Sequence, residues 1–388
     1  MRVPYEGKRC PPWQRRTLRK MAPVVDSHVH IFPSLDEASG FGSQAEHRWF
    51  LQLYMATHGE PVRRLRDHAQ VHRQTLHDGR LDTPSSLKDV DFRVGGFGRF
   101  EWTADGEDVY LQFFPPSLQT MASPPELMLQ QMARAGVDRA VLQNARLYGR
   151  LNEFFAAAVR AYPDRFIGLA DVDEAQAHTP AQLDKLRHAI RELGLRGLYY
   201  ANRALITASY AHMFDDPLFD VFWEEVRGLG IPVFWEIVGA PHPDNPDHLL
   251  REIDRLNRWA ERWPTIPGVW THGFAPELLE QMPSELEQLL GREQLMIEIL
   301  YPIHWARTHE YPFPELRQAI ETLYRRVGGE RLIWGSDMPN VERNCTYRQS
   351  LEYLRRLALG WLPSADVDRI LGLNVLRLLG VHGTRPKT

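Results

Sequence analysis

Two histidines one residue apart, His28 and His30 in PVVDSHVHIFP, head a set of side chains suited to metal binding and proton transfer. The others are Glu236 in PVFWEI, His272 in PGVWTH and Asp337 in RLIWGSD. On a β-strand, residues two apart share a face and lie about 6 to 7 Å from one another, so this pair can converge on one ion. Imidazole is a common ligand for divalent transition metals. Alone, an HxH pair reads as two incidental histidines, His272 reads equally as a structural residue, and the bland reading of Asp337 is a helix-capping residue. Taken jointly, each group closes an apolar, β-rich run, and that shared position is far more specific than any one member.

Such side chains need a scaffold that brings distant stretches together. After Ala122 the chain alternates short β-rich runs with longer helical patterns, which indicates βα units around a parallel sheet. Strand one is read from Val24 to Ile31, strand two from Arg139, strand three from Phe166 and strand four from Leu195. Strands five to eight start at Pro232, Pro267, Leu295 and Arg331. The intervening helices include LNEFFAAAVRAY from Leu151 and DDPLFDVFWEEVRGLG from Asp215, with others from Asp247, Pro314 and Thr346. Eight strands predict an α/β fold, a (β/α)8 TIM barrel, followed by C-terminal helices in SADVDRILGLNVLRLLG. Barrel active sites stand at the C-terminal ends of the strands, which places all five groups at one mouth.

Residues 32–123 interrupt the rhythm after strand one. They contain GFGSQAEHRWF, a charged VRRLRDHAQVHRQTL expected to be helical, and DGEDVYLQFFPP, expected to form a hairpin. An ordered insertion at that place forms a wall or lid of the active site. Residues 23–388 are read as one metal-dependent barrel domain, and residues 1–22 as a flexible basic extension without the apolar stretch of a secretory signal.

The chain of 388 residues is 43% hydrophobic and 25% charged, within the range of soluble globular proteins. A net charge of −4 without a block of one sign gives no support for a nucleic-acid or membrane partner, so a small-molecule substrate is expected. Two cysteines, Cys10 and Cys345, fit a reducing, cytoplasmic compartment. A homodimer is the commonest assembly for such an enzyme.

DSHVHIF, WTHGF and IWGSDMPN, in that order and on strands one, six and eight, resemble the amidohydrolase-related family of the amidohydrolase superfamily. Its members include aminocarboxymuconate semialdehyde decarboxylase and the resorcylate and carboxyvanillate decarboxylases. The resemblance runs from Pro23 to Leu379 and includes GLNVLRLLG. It implies one divalent metal ion, zinc or manganese, held by His28, His30 and Asp337, with His272 as the acid–base group. Binuclear relatives use a carboxylated lysine on strand four, and LRGLYYANR has no lysine. One departure stands out: the family ends strand five with a histidine, where this chain has Glu236. As a ligand, Glu236 gives a harder, more negative donor set that tilts the choice toward manganese or iron. Otherwise it orients a histidine, and His242 or His248 reaches back to the ion.

Further candidates surround the mouth. Arg343, beyond strand eight, is placed to clamp a substrate carboxylate or else is a solvated surface residue. His304 after strand seven and Asn144 after strand two are polar candidates, and Trp235, Trp305 and Tyr199 suit either barrel packing or an aromatic-lined pocket. The expected function is a hydrolase that uses a divalent metal to activate water against an amide, lactone or related bond, with His272 relaying the proton and Asp337 as ligand and proton shuttle. Non-oxidative decarboxylation of an aromatic or enolic acid is the close rival. A binding protein that kept the barrel and lost activity through Glu236 is the rival of another class.

Overall fold

The computed structural model of the chain describes residues 22–71, 75–80, 83–238, 248–300, 308–358 and 360–382. Eight short parallel strands form the barrel wall. The first arc joins strand one (Val25–Val29), strand two (Arg139–Leu142) and strand three (Phe166–Gly168). The second joins strand four (Leu198–Ala201), strand five (Val233–Glu236), strand six (Gly268–Trp270), strand seven (Leu295–Ile299) and strand eight (Leu332–Trp334). Single parallel bridges span both seams, Ala170 to Leu198 and Val29 to Met338. The strands are buried throughout, which explains their continuous apolar reading.

The ladders are shorter than the apolar runs. His30, His272 and Asp337 all lie past the last residue of their strands, where the chain leaves the ladder to form the mouth. His272 and Asp337 both adopt positive backbone φ, 60° and 61°. That region costs a residue other than glycine roughly 1–2 kcal/mol, and such outliers cluster where side chains are held for function.

The insertion is folded. Its ends are clamped where Phe32 and Ser123 exchange backbone hydrogen bonds, both at 2.9 Å. A helix, Gln44–Ala56, begins at Ser43, whose hydroxyl accepts from the Glu46 amide. His47 on that helix bonds the carbonyls of Glu37 (2.8 Å) and Leu147 (2.9 Å), which pins the helix to the loop after strand two. The expected hairpin is present: Arg99–Ala104 pairs with Glu107–Gln112 across Asp105 and Gly106, both at positive φ as a tight hairpin turn requires. The helix expected from Val62 is not. Val62–Arg64 is a strand on the outer side of that hairpin, and the chain turns back at Asp67 and His68 so that Val71 donates to Val62. β-branched valines flanking an Asx turn outweigh the apparent helical spacing.

Among the described residues no helix is long and apolar enough to cross a membrane. On the outer side of the barrel wall Trp259 packs edge to face against both Trp223 and Trp235, which are tilted by 40° to each other; none is more than 1% exposed, and the cluster locks strand five to the helices Asp220–Leu229 and His248–Arg262.

Candidate metal centre

Strand one is drawn against the loop after strand eight by two backbone bonds, Asp337 N–H to the His28 carbonyl (2.9 Å) and His30 N–H to the Met338 carbonyl (2.7 Å). Asp26 braces the same junction by accepting from the amides of His28 (3.0 Å) and Ser336 (2.9 Å) and from the Tyr347 hydroxyl (2.7 Å). Burial pushes its carboxyl up to about 6. The invariable consequence of this bracing is proximity: one ligand atom each from His28, His30 and Asp337 falls within 4.8 Å of the others. His30 Nε2 lies 3.1 Å from His28 Nε2 and 2.8 Å from Asp337 Oδ1, which stands 3.8 Å from His28 Nε2.

The donor chemistry fits a cation. His28 Nδ1 faces Glu298 Oε2 at 2.8 Å and His30 Nδ1 faces the Gln143 carbonyl at 2.8 Å. Those acceptors assign the N–H of each ring to Nδ1 and leave both Nε2 lone pairs aimed at the Asp337 carboxylate's side of the mouth. Two lone pairs and an anion facing one another repel unless a positive charge lies among them. In the metal-free protein a proton supplies it: burial opposes charge on His28, but Glu298 outweighs burial and pushes the imidazolium up to about 9. Burial would raise Asp337, yet the His30 hydrogen bond and the imidazole charges hold it well below the usual carboxylate range.

Glu298, on strand seven, was not anticipated from sequence. Its carboxylate accepts from His28 Nδ1, from the Ser27 hydroxyl (2.5 Å) and from the His272 amide (2.9 Å), and it is fully buried. The glycine of WGSD makes room for it: a Cβ at Gly335 would come 2.6 Å from Glu298 Oε1. The signal was a lone carboxylate inside an apolar strand, since a buried charge without partners is too costly to keep. Asn340 was also missed. Its amide donates to Asp337 Oδ1 and to the Tyr148 hydroxyl, both at 2.9 Å, and Tyr148 stacks on His30 with ring centroids 4.5 Å apart.

His272 stands beside the group, its ring centroid 4.6 Å from that of His28. Burial holds its pKa down, to about 4, and the charge on His28 adds to the effect. Of this corner, His30, His272 and Asp337 open into a cleft of about 690 Å³, its open mouth included, between the strand ends and the insertion. Glu236 and Tyr199 line the same cleft, and the Tyr199 hydroxyl donates to Glu236 Oε2 at 2.6 Å. Glu236 stands outside the tight three-residue group.

Other expected site residues are placed differently. Arg343 reaches the cleft, but its Nη1 pairs with Glu60 of the insertion at 2.9 Å. Trp235 does not face the cleft: side chains alternate along a strand, so with Glu236 inward Trp235 points to the outer helices. Asn144 is likewise absent from the cleft wall, because its amide donates to the Gly149 carbonyl (3.0 Å) and ties the loop after strand two to itself. His248 opens its helix with Nδ1 bonded to Arg251 and does not line the cleft. His242, His304 and Trp305 lie outside the described residues, as does the basic stretch 1–21.

The His28–Glu298 pair sets a pH dependence of stability. The folded pKa of His28 is raised from 6.5 to about 9, so the stabilisation is complete below pH 6.5 and is lost as pH rises through about 9. Metal-free protein is expected to melt a few degrees lower at pH 9 than at pH 6, a drop on the order of 2–4 °C per kcal/mol. Glu298→Gln should flatten that slope. Calorimetry on both proteins reads it directly, and equal slopes would mean that Glu298 does not hold the proton on His28.

The amidohydrolase family model matches residues 25–381. No protein of curated function matches the chain in sequence. Among solved structures, it is similar to the 2,6-dihydroxybenzoate decarboxylase from Rhizobium, with TM-score 0.53 and 15% identity over 67% of this chain and 89% of that one. The dihydroxybenzoic acid decarboxylase from Polaromonas sp. JS666, with bound manganese and the inhibitor 2-nitroresorcinol, gives TM-score 0.52 and 15% identity over 67% and 87%. A probable 2-pyrone-4,6-dicarboxylic acid hydrolase from Acinetobacter baumannii, with citric acid bound, gives 0.50 and 19% over 67% and 90%. At these identities the likeness establishes the barrel fold.

Proposed function

Because the chain belongs to the amidohydrolase family, we propose that it hydrolyses an amide, lactone or related bond of a small molecule in the cleft above His28, His30 and Asp337. The observation that carries this reading is His272. Its imidazole is held neutral beside the three converging donors, and neither ring nitrogen is spent on a described acceptor. His28, His30 and Asp337 would hold a divalent cation, which would supply Lewis acidity and acidify water at the site. His272 takes a proton from a water molecule as its oxygen attacks the acyl carbon, and returns that proton to the departing nitrogen or oxygen. Asn340 fixes the Asp337 carboxylate, so His272 moves the proton while Asp337 keeps its charge.

Glu236 is assigned to the fourth position of the donor set. Tyr199 fixes Oε2, and no described residue engages Oε1. Glu236→Gln is expected to weaken ion retention by about 10- to 100-fold, as measured by competition with a chromogenic chelator. Unchanged affinity would instead remove Glu236 from the donor set. A second reading, decarboxylation of an aromatic acid, is favoured by the aromatic walls Tyr54, Phe113 and Tyr148 around the cleft. Zinc- and manganese-loaded protein should be assayed against amides and lactones and, in parallel, against aromatic acids with detection of CO2. Release of CO2 without hydrolytic turnover would replace the first reading by the second.

A further inference from the structure

Among the described residues, one guanidinium at the cleft has no anionic partner. Arg203 follows strand four on the short 3-10 segment Asn202–Ala208. It lies over the ring of Tyr54, with its Cζ 4.8 Å from the centroid, and contributes to the walls of two neighbouring spaces that also share Tyr54, Ala145 and Glu236. One is the cleft that holds His30, His272 and Asp337; the other is a narrow apolar crevice beneath the insertion helix, lined by Phe50, Leu53 and Ile206. The other arginines here are paired: Arg343 with Glu60, and Arg146 with Glu174 and Asp173.

Among the described residues no carboxylate oxygen comes within ion-pair distance of Arg203. Glu236 acts on it only from farther away, and that carboxylate is already bonded by Tyr199. Glu298 is satisfied by its three donors. Glu236 is held by Tyr199 and Asp337 by Asn340, so among the described residues Arg203 is a cation in a partly desolvated space with no anion bonded to it. A cation withdrawn from water and left unpaired is costly unless something arrives to pair it. A planar guanidinium matches a carboxylate in two parallel hydrogen bonds.

We propose that Arg203 binds a carboxylate group of the substrate, and that Arg343, tied to Glu60, is a brace for the insertion rather than the clamp. The inference rests on the reading that this cleft is the active site, and it applies to a hydrolytic or a decarboxylating substrate alike. It predicts a substrate that is an anion with an apolar body, seated between the ion ligands and Tyr54.

Metal-free protein isolates Arg203 from any coordination of the probe to an ion. Calorimetric titration with benzoate and with its neutral analogue benzamide is expected to show benzoate bound about tenfold or more tightly by the wild type. Arg203→Gln should bring the two probes within about twofold, and Arg203→Lys should keep part of the preference because it retains charge but loses the fork. Circular dichroism on each variant confirms folding. The proposal is overturned if the wild type shows no preference, if Arg203→Gln keeps it, or if Arg343→Gln rather than Arg203→Gln removes it. Metal content after reconstitution is measured on the same samples. A full complement of ion with an Arg203-independent preference defeats this proposal and leaves the metal-enzyme reading standing; the converse result does the opposite.

Discussion

His30→Ala is expected to leave the centre unable to retain a divalent ion and to lower turnover by at least about a thousandfold. The reason is that the contacts of the site converge on this ring. Its Nε2 is 3.1 Å from His28 Nε2 and 2.8 Å from Asp337 Oδ1, its Nδ1 is fixed by the Gln143 carbonyl, and its face rests on Tyr148. Removing it deletes one of three converging donors, and in the metal-free protein it also takes away a neighbour that holds Asp337 below the usual carboxylate range. The ion count per chain, measured by mass spectrometry after dialysis, should fall well below that of the wild type. The vacated space is ring-shaped, so added imidazole should restore part of the ion content. A variant that keeps one ion per chain and its turnover would remove His30 from the ligand set, and with it the site as described.

How much of this was legible in the sequence depends on what each residue asked of its neighbours. The strands were readable because they are buried on both sides and therefore apolar without interruption, and His28, His30, His272 and Asp337 were readable because they end those runs. The exact ladder limits were not readable, since the departure from the sheet is set by bonds such as Asp337 N–H to the His28 carbonyl, 309 residues apart only in sequence terms of the two partners. Glu298 was legible in principle, as a carboxylate in LMIEI, but its importance arises from three donors contributed by other strands. Parity misled the aromatic assignments: Tyr199 and Trp235 were equal candidates by type, and only the inward facing of Tyr199 and Glu236 separates them. Arg203 was hidden among many arginines. What distinguishes it is the lack of a partner among the described residues, a property of the fold rather than of any motif.

His272→Ala should lower kcat by about 10²- to 10⁴-fold while leaving the ion content unchanged, the separation that distinguishes a proton-transfer group from a ligand. The geometry around it supports the size of the effect. His272 is held at φ 60° with its amide bonded to Glu298 Oε2, and a glycine, Gly273, follows at φ 59°, where a Cβ would come 2.6 Å from the Glu298 carbonyl. Backbone strain of roughly 1–3 kcal/mol is thus retained to aim one imidazole. Burial and the neighbouring positive charge lower its pKa from 6.5 to about 4. The sign follows: the proton-free base is the populated form at every pH above about 4, so its acid limb lies near pH 4 instead of 6.5. A divalent ion beside it pushes in the same direction as the proton it displaces from His28. The wild-type profile of kcat/KM should therefore stay flat between pH 5 and 7 as far as His272 is concerned, and the alanine variant should lose the limb altogether. Turnover within tenfold of wild type in His272→Ala would place the base elsewhere in the cleft, with Glu236 next in line.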